Sequence, residues 1–371
     1  MTRWTDRLAD LVAIPSTADR PADLRRALDL VVTGVGDGFA VRRFESNGKP
    51  SALLHAPGAT GPFPVVLNAH LDVVPAPPAQ FVPRRDGDRL YGRGTHDMKA
   101  AALVMADVFR SVARDLPIAL QLVTDEEVGG ADGTGHQLAE GVRAGFVVIG
   151  EQSGLRVVTE SKGICHARLT TTGRAAHAAY PWLGDNALVS LLGALDRLLA
   201  RYPVPAAEAW ATTVNVARVE TPNAAFNQVP AAASAWVDIR YPPGDGDFSG
   251  RTGSEVAAHL RAVTGVSASV DALGPPHRAD PGSAAVTGLR EAIRSVGYPG
   301  DLLRKHGAAD GRYYHALGID AVIFGPGGDG QHGPDEYVDL TTLEPYHDAL
   351  RAFLSRWPAA ASGPGGSARP G

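Results

Sequence analysis

PVVLNAHLD, residues 64–72, is the stretch on which the reading of this chain turns. Pro64–Ala69 is an apolar run too brief for a helix and bounded by Gly and Pro, so it reads as a buried strand. His70-Leu71-Asp72 then sets a histidine and a carboxylate at the strand's carboxyl end. That is where open α/β sheets bind ligands.

Outward from this strand, upstream, the pattern predicts helices over Thr5–Ala13, capped by Thr5, and over Pro21–Val32, then a strand at Ser51–His55. Downstream it predicts a helix over Met98–Ala113 and strands at Pro117–Thr124 and Gly145–Ile149. This alternation implies an α/β layer sandwich with a partly parallel sheet. The next segment has another rhythm. Ile164–Thr172, Ala211–Val219, Ala233–Tyr241 and Val266–Asp271 read as strands, and Asn186–Ala200 and Ser254–Val263 as helices. The order is βαββαβ, a small sheet with helices on one face. Glycine- and proline-rich stretches lie near both of its ends. The expectation is therefore a compact domain, 163–273, inserted into a discontinuous larger one, 1–162 and 274–357. In the returning part, helices at Ser283–Val296 and Leu340–Leu354 flank a strand at Ala321–Phe324, and the Ala/Gly/Pro/Ser-rich tail 358–371 is expected to be disordered.

With 371 residues, 44% hydrophobic and 20% charged, the chain can bury a sizeable core. A net charge of −5 argues against nucleic acid as the main partner. No apolar run approaches the roughly 18 residues that span a bilayer, and MTRWTDRLAD has charges where a signal peptide needs an apolar stretch. The expected compartment is the cytoplasm, with no membrane partner. Cys165 is the only cysteine, so no intrachain disulfide forms. Its expected role is a small apolar residue of a strand, not a nucleophile. Any metal would then be held by His, Asp and Glu.

Candidates for that task cluster at strand ends and in the loops after them. Asp72, two residues from His70 on extended chain, points the same way and can orient the imidazole; alone, a strand-end histidine beside a solvated acid is the plainer reading of the pair. Asp97 opens a helix from a glycine-dense loop; its two oxygens could bridge two cations, but taken alone it reads as a cap of that helix. Glu126 and Glu127 are neighbours on what reads as extended chain, so they would project to opposite sides and could divide two jobs. Glu151 follows a strand, and His332 lies among five glycines that let backbone approach closely. His177, in GRAAHAAYP, falls in the inserted segment, where a turn or interface histidine is the plainer reading.

Taken in order, H-x-D-V-V-P, G-R-G-x-x-D-M-K, D-E-E-x-G, G-E and H-G-P-x-E resemble the zinc metallopeptidase family that contains acetylornithine deacetylase, succinyl-diaminopimelate desuccinylase, aminoacylase and glutamate carboxypeptidases. The resemblance covers nearly the whole chain. It implies that His70, Asp97 and Glu151 hold one divalent metal ion, and Asp97, Glu127 and His332 a second. Zinc is expected, with cobalt or manganese as alternatives. Asp97 would bridge, Glu126 would be the general base, and Asp72 would orient His70. The peptide bond after Asp97 would be cis. The inserted domain would be a lid and homodimerisation domain whose His177 reaches a neighbouring active site, with Asn227, Arg240 and Arg312 contacting substrate. The implied reaction is hydrolysis of an amide in a small N-acyl amino acid or short peptide with a free carboxylate. An exopeptidase on the same site is the alternative. A metal-dependent binding protein without catalysis is a third reading, disfavoured because a binder needs no base such as Glu126. Two departures bear on substrate: Gln152 stands where the family usually has proline, and Ala308 and Ala309 where Thr and Ser are common.

Overall fold

The computed structural model describes residues 3–357; the predicted disordered tail, 358–371, lies outside them. The described chain divides into two compact units. The first comprises the chain up to Thr159, Ala279–Leu303, and the chain from Tyr313 onward; the second comprises Glu160–Arg278 and Arg304–Arg312.

The first unit is built on a mixed sheet. Four of its strands are parallel, side by side in the order Ala119–Val123, Phe63–His70, Ala144–Ile149 and Asp320–Ile323. Phe63–His70 is central because it is buried along nearly its whole length, as a run of Val, Leu and Ala requires. The hairpin Ala40–Ser46 and Lys49–His55 adds to one side, antiparallel. Val157–Ser161 adds to the other, antiparallel through Val158 and Ile323. Helices Thr5–Val12, Pro21–Val35, Ala100–Val112, Ala284–Ser295 and Leu343–Arg356 supply the rest of one continuous apolar core. Ala100–Val112 is buried on almost every side, which its composition of Ala, Leu, Val, Met and Phe permits.

The α/β expectation holds, with local corrections. Thr5 is the first helical residue and does not cap; Trp4 occupies the cap position without a side-chain bond. The strand Ala40–Ser46 is absent from the sequence reading. It is an edge strand whose residues are half-buried or exposed, so it lacks an apolar signal. A second, small sheet of Gly328–Asp329, Tyr337–Asp339, Arg89–Tyr91 and Arg84–Asp86 consists of strands of two or three residues, too short for any periodicity.

The second unit has the βαββαβ order. Its four antiparallel strands lie in the sequence Thr213–Glu220, Ala232–Tyr241, Gly163–Thr172, Ser267–Gly274. Strict alternation along Ala232–Tyr241 sends Ala233, Ala235, Val237, Ile239 and Tyr241 to one face. There they join Cys165, Ala167 and Leu169 and the apolar sides of helices Ala187–Arg201 and Gly253–Thr264. Burial pushes the Cys165 thiol up to about 12, which suits the packing role read from sequence.

Candidate metal centre

The carboxyl ends of the four parallel strands all open towards the same group of side chains. His70 is the last residue of its strand; Glu126 and Glu127 follow Val123; Glu151 follows Ile149; the loop after Ile323 carries His332. A glycine is required at one junction in this loop. A Cβ on Gly325 would lie 2.3 Å from the Glu151 carbonyl oxygen, so only glycine lets the two loops pass. Asp97 arrives from a separate irregular turn, Thr95–Lys99, where it breaks helical geometry (φ −121°, ψ 91°). The Asp97–Met98 peptide bond is cis. Asp97 is no helix cap: the helix begins at Ala100, and Lys99 holds the cap position with no side-chain cap bond.

Ligating atoms of His70, Asp97 and Glu151 lie within 4.8 Å of one another, and so do those of Asp97, Glu127 and His332. Asp97 is the member common to both groups. His70 Nε2 is 3.0 Å from Asp97 Oδ1 and 3.6 Å from Glu151 Oε1. His332 Nε2 is 3.2 Å from Asp97 Oδ2 and 3.2 Å from Glu127. His70, Asp97 and Glu151 are buried. A third grouping, Glu344, His347 and Asp348, lies on the helix Leu343–Arg356 with both carboxylates exposed and shares no residue with these two.

Asp72 has two tasks where the sequence suggested one. The His70 Nδ1 lies 3.1 Å from the Asp72 carbonyl and 3.5 Å from its carboxylate, which fixes the ring so that Nε2 faces the cluster. The fully buried Asp72 carboxylate also accepts the backbone N–H groups of Glu126 and Glu127, at 3.2 and 3.0 Å. These glutamates are not on extended chain. They lie in a 3₁₀ turn, Glu126–Val128, where successive side chains diverge by roughly 120° rather than 180°. They still project differently, and Asp72 sets the orientation of the turn.

The electrostatics suit cations. Burial alone would lower His70, yet Asp72, Asp97 and Glu151 together hold it well above its ordinary value. Hydrogen bonds to Asp97 and Glu127 raise His332 to about 10, against the effect of burial. Burial pushes the Glu127 carboxyl up, in spite of His332. Three carboxylates out of water demand positive charge nearby. Divalent ions would meet that demand, and an all-oxygen-and-imidazole set without thiolate suits zinc, cobalt or manganese.

The other candidates belong to the second unit. The segments of His177 and Asn227 run side by side, with the Ala178 N–H donating to the Asn227 carbonyl at 2.8 Å. Both residues are exposed, and the Ala179 N–H donates to His177 Nδ1 at 3.1 Å. Arg240 places its guanidinium fork on Asp238, at 2.7 and 2.9 Å. Arg312 ends the segment 304–312, near Gly274. Gln152 is buried, and neither atom of its amide has a hydrogen-bond partner among the described residues. Three residues that the sequence reading did not single out are buried and lie within a few residues of Asp97 or His332 in the chain: Arg93, Lys99 and Glu336. Lys99 is completely buried and donates to the carbonyls of Leu11 and Ile14, at 3.0 and 2.8 Å. The signal for all three was their place inside the motifs that carry Asp97 and His332.

The sequence pattern of peptidase family M20/M25/M40 matches residues 66–356. The chain belongs to this family. Among curated M20 relatives, a succinyl-diaminopimelate desuccinylase of Cereibacter sphaeroides is 30% identical over 363 residues, covering 91% of this chain and 94% of its own. The desuccinylase of Bordetella petrii is 30% identical over 375 residues, covering 93% and 95%. A protein named a probable carboxypeptidase in Aspergillus terreus is 33% identical over 330 residues, covering 80% and 70%. Among solved structures, an M20 family metallo-carboxypeptidase from Sulfolobus solfataricus superposes with a TM-score of 0.77 at 17% identity, covering 96% of this chain and all of that one. At that identity the likeness speaks for the fold. Family membership makes the chain a hydrolase, and the full-length match to desuccinylases supports a metal-dependent deacylase.

Proposed function

We propose that this M20 chain hydrolyses the amide bond of a small N-acyl amino acid, or of a short peptide with a free carboxylate, at a two-metal centre. Two groups of ligating atoms that share Asp97, which its own turn brings to the ligands following the parallel strands, carry the reading. His70, Asp97 and Glu151 hold one ion; Asp97, Glu127 and His332 hold the other. Zinc is the proposed metal, with cobalt or manganese able to replace it. Such ions would polarise the amide carbonyl and make water acidic enough to attack near neutral pH.

The chain's own groups do the rest. Glu126 lies in the turn set by Asp72, beside the ligand Glu127. It takes the proton from the attacking water and delivers it to the leaving nitrogen, so one carboxylate serves as base and then acid. His177, from the second unit of this or a second copy of the chain, stabilises the developing oxyanion; one such donor is worth about 2.7–4 kcal/mol. Asn227, Arg240 and Arg312 contact substrate, with Arg240 exchanging its Asp238 partner for the substrate's carboxylate. The second unit would serve as lid and homodimer contact. No helix among the described residues is long and apolar enough to cross a membrane. The cytoplasm is the proposed compartment, since the single buried cysteine needs no oxidising one.

The exopeptidase reading is favoured by the carboxypeptidase-named relative. A panel of acetyl-, succinyl- and other acyl-amino acids beside dipeptides, assayed for released amine with zinc, cobalt and manganese, separates the two. Chelator-sensitive release from one class is expected. No release from any member, with metal bound, would overturn the hydrolytic proposal.

A further inference from the structure

The two loops that bring Asp97 and His332 together start from one ladder. Arg89–Tyr91 pairs antiparallel with Tyr337–Asp339, with Tyr91 opposite Tyr337, and the Gly92 N–H extends the contact by donating to the Glu336 carbonyl at 3.0 Å. Beyond that point the strands part. One runs on to Asp97; the other leads back to His332. At the fork sit Arg93 and Glu336, both buried, joined Nη1 to Oε2 at 2.5 Å.

Each member reaches past its partner to the opposite loop. Glu336 Oε1 accepts the backbone N–H groups of His96 and Asp97, at 3.0 and 3.2 Å. Arg93 Nη2 donates to the carbonyls of His332 and Gly333, at 3.0 and 3.3 Å. The residue on the His332 side therefore grips the Asp97 turn, and the residue on the Asp97 side grips the His332 loop. His332 itself stands at φ +60°, a left-handed conformation that a non-glycine residue seldom takes unaided. Its carbonyl is one of the two that Arg93 holds.

We infer that Arg93 and Glu336 are positioning residues: a reciprocal clasp that pre-assembles the Asp97–Glu127–His332 half of the centre before a cation arrives. This rests on the two-metal reading proposed above. Stability alone is a weak reason for a buried ion pair, because apolar replacements are often neutral or better. A guanidinium fork that bonds one carboxylate and two carbonyls has geometry that no apolar pair or lysine copies. Outer partners of this kind, when lost, typically cost about 10- to 100-fold in metal affinity. Since Arg93 touches the backbone of His332 and Glu336 touches that of Asp97, loss of Arg93 falls on one half of the centre, while loss of Glu336 reaches the ligand shared by both.

Zinc titration of the full chain, stripped of metal and followed by calorimetry, tests this. Wild type should take two ions. Arg93→Lys, which keeps a positive partner for Glu336 but loses the fork, should weaken one site by about 10- to 100-fold and leave the other near wild type, so that it resembles His332→Ala and not His70→Ala. Glu336→Ala should weaken both sites, and Glu336→Gln, which can still accept the two N–H bonds, should recover part of the loss. Thermal unfolding of the metal-free variants is the control. If Arg93→Lys binds two zinc ions with wild-type affinities, the clasp is overturned. The same holds if both sites weaken equally, in step with lost metal-free stability. Should Glu336→Ala fail to fold, Arg93→Lys and Glu336→Gln decide. If wild type binds no zinc, the metal reading falls first; if wild type binds two and Arg93→Lys behaves like it, only the clasp falls.

Discussion

At Asp97 both oxygens are committed, Oδ1 towards His70 and Oδ2 towards His332. Asp97→Asn would leave one good ligand oxygen and a neutral group where two cations are proposed to meet. The protein should then retain fewer than two ions after gel filtration; metal analysis returning two per chain would contradict the bridge. Glu126 is the converse case. It belongs to neither ligand group, so Glu126→Ala should keep its metal and lose turnover by about 10²–10⁴-fold, the range for a general base; wild-type rates would remove Glu126 from the mechanism. Replacing His177 with Ala should likewise depress kcat while metal content stays. The candidate acids and histidines were legible in the sequence at strand ends and in glycine-rich loops, and the family resemblance grouped them into two sets; the same two sets have ligating atoms within 4.8 Å of one another. What was not legible is the work of residues that act through backbone. Asp72 reads as a partner of His70 alone, since its bonds to the N–H groups of Glu126 and Glu127 join positions 54 and 55 residues apart. Asp97 taken singly reads as a cap, and only coordinates show the helix starting three residues later.

Elements show the same division. Long periodic helices and alternating strands were readable to within a few residues, because burial imposes the period. The edge strand Ala40–Ser46 and the three-residue strands beside the Asp97 and His332 loops were not, since their ladders are set by partners distant in sequence. Two helix starts invite measurement. Asn186 accepts the N–H groups of Leu188 and Val189, at 3.0 and 3.2 Å. Asn186→Ala should cost about 1 kcal/mol of stability, read from denaturant melts with unchanged slope; no loss would show the cap to be idle. Asp23, in the first turn of Pro21–Val35, is pushed up by burial, but hydrogen bonds from Arg20 and Arg26 at 2.6 and 2.8 Å more than offset this and hold its carboxyl below the usual 3.8. A depressed carboxyl stabilises the fold above its unfolded pKa and loses that contribution as pH falls through the folded one. Because both arginines are more than half exposed, Asp23→Asn should cost only about 0.5–1 kcal/mol at pH 7. The difference from wild type should close near pH 2; a gap of equal size at both pH values would refute the assignment.

For the molecule as a whole, the decisive fact is that the described residues form two separate apolar cores, one in each compact unit. All five proposed ligands, His70, Asp97, Glu127, Glu151 and His332, belong to the first unit. The second holds none of them, and its sheet and two helices bury Cys165, Leu169, Leu195 and Ile239 among themselves. A ligand that binds only the folded form stabilises what it binds, by about 2.7 kcal/mol at a free concentration 100 times its Kd. Zinc should therefore raise the unfolding temperature of the first unit and leave that of the second where it was. Differential scanning calorimetry of the full chain, with zinc and then with chelator, should resolve two transitions of which one moves. Hydrogen exchange provides an independent assignment: amides of Phe63–His70 and Ala144–Ile149 should gain protection with metal, and those of Gly163–Thr172 and Ala232–Tyr241 should not. Equal gains in both sets would mean that the units unfold as one body, and that the metal centre's stabilisation is spread over the whole chain rather than held within the unit that carries its ligands.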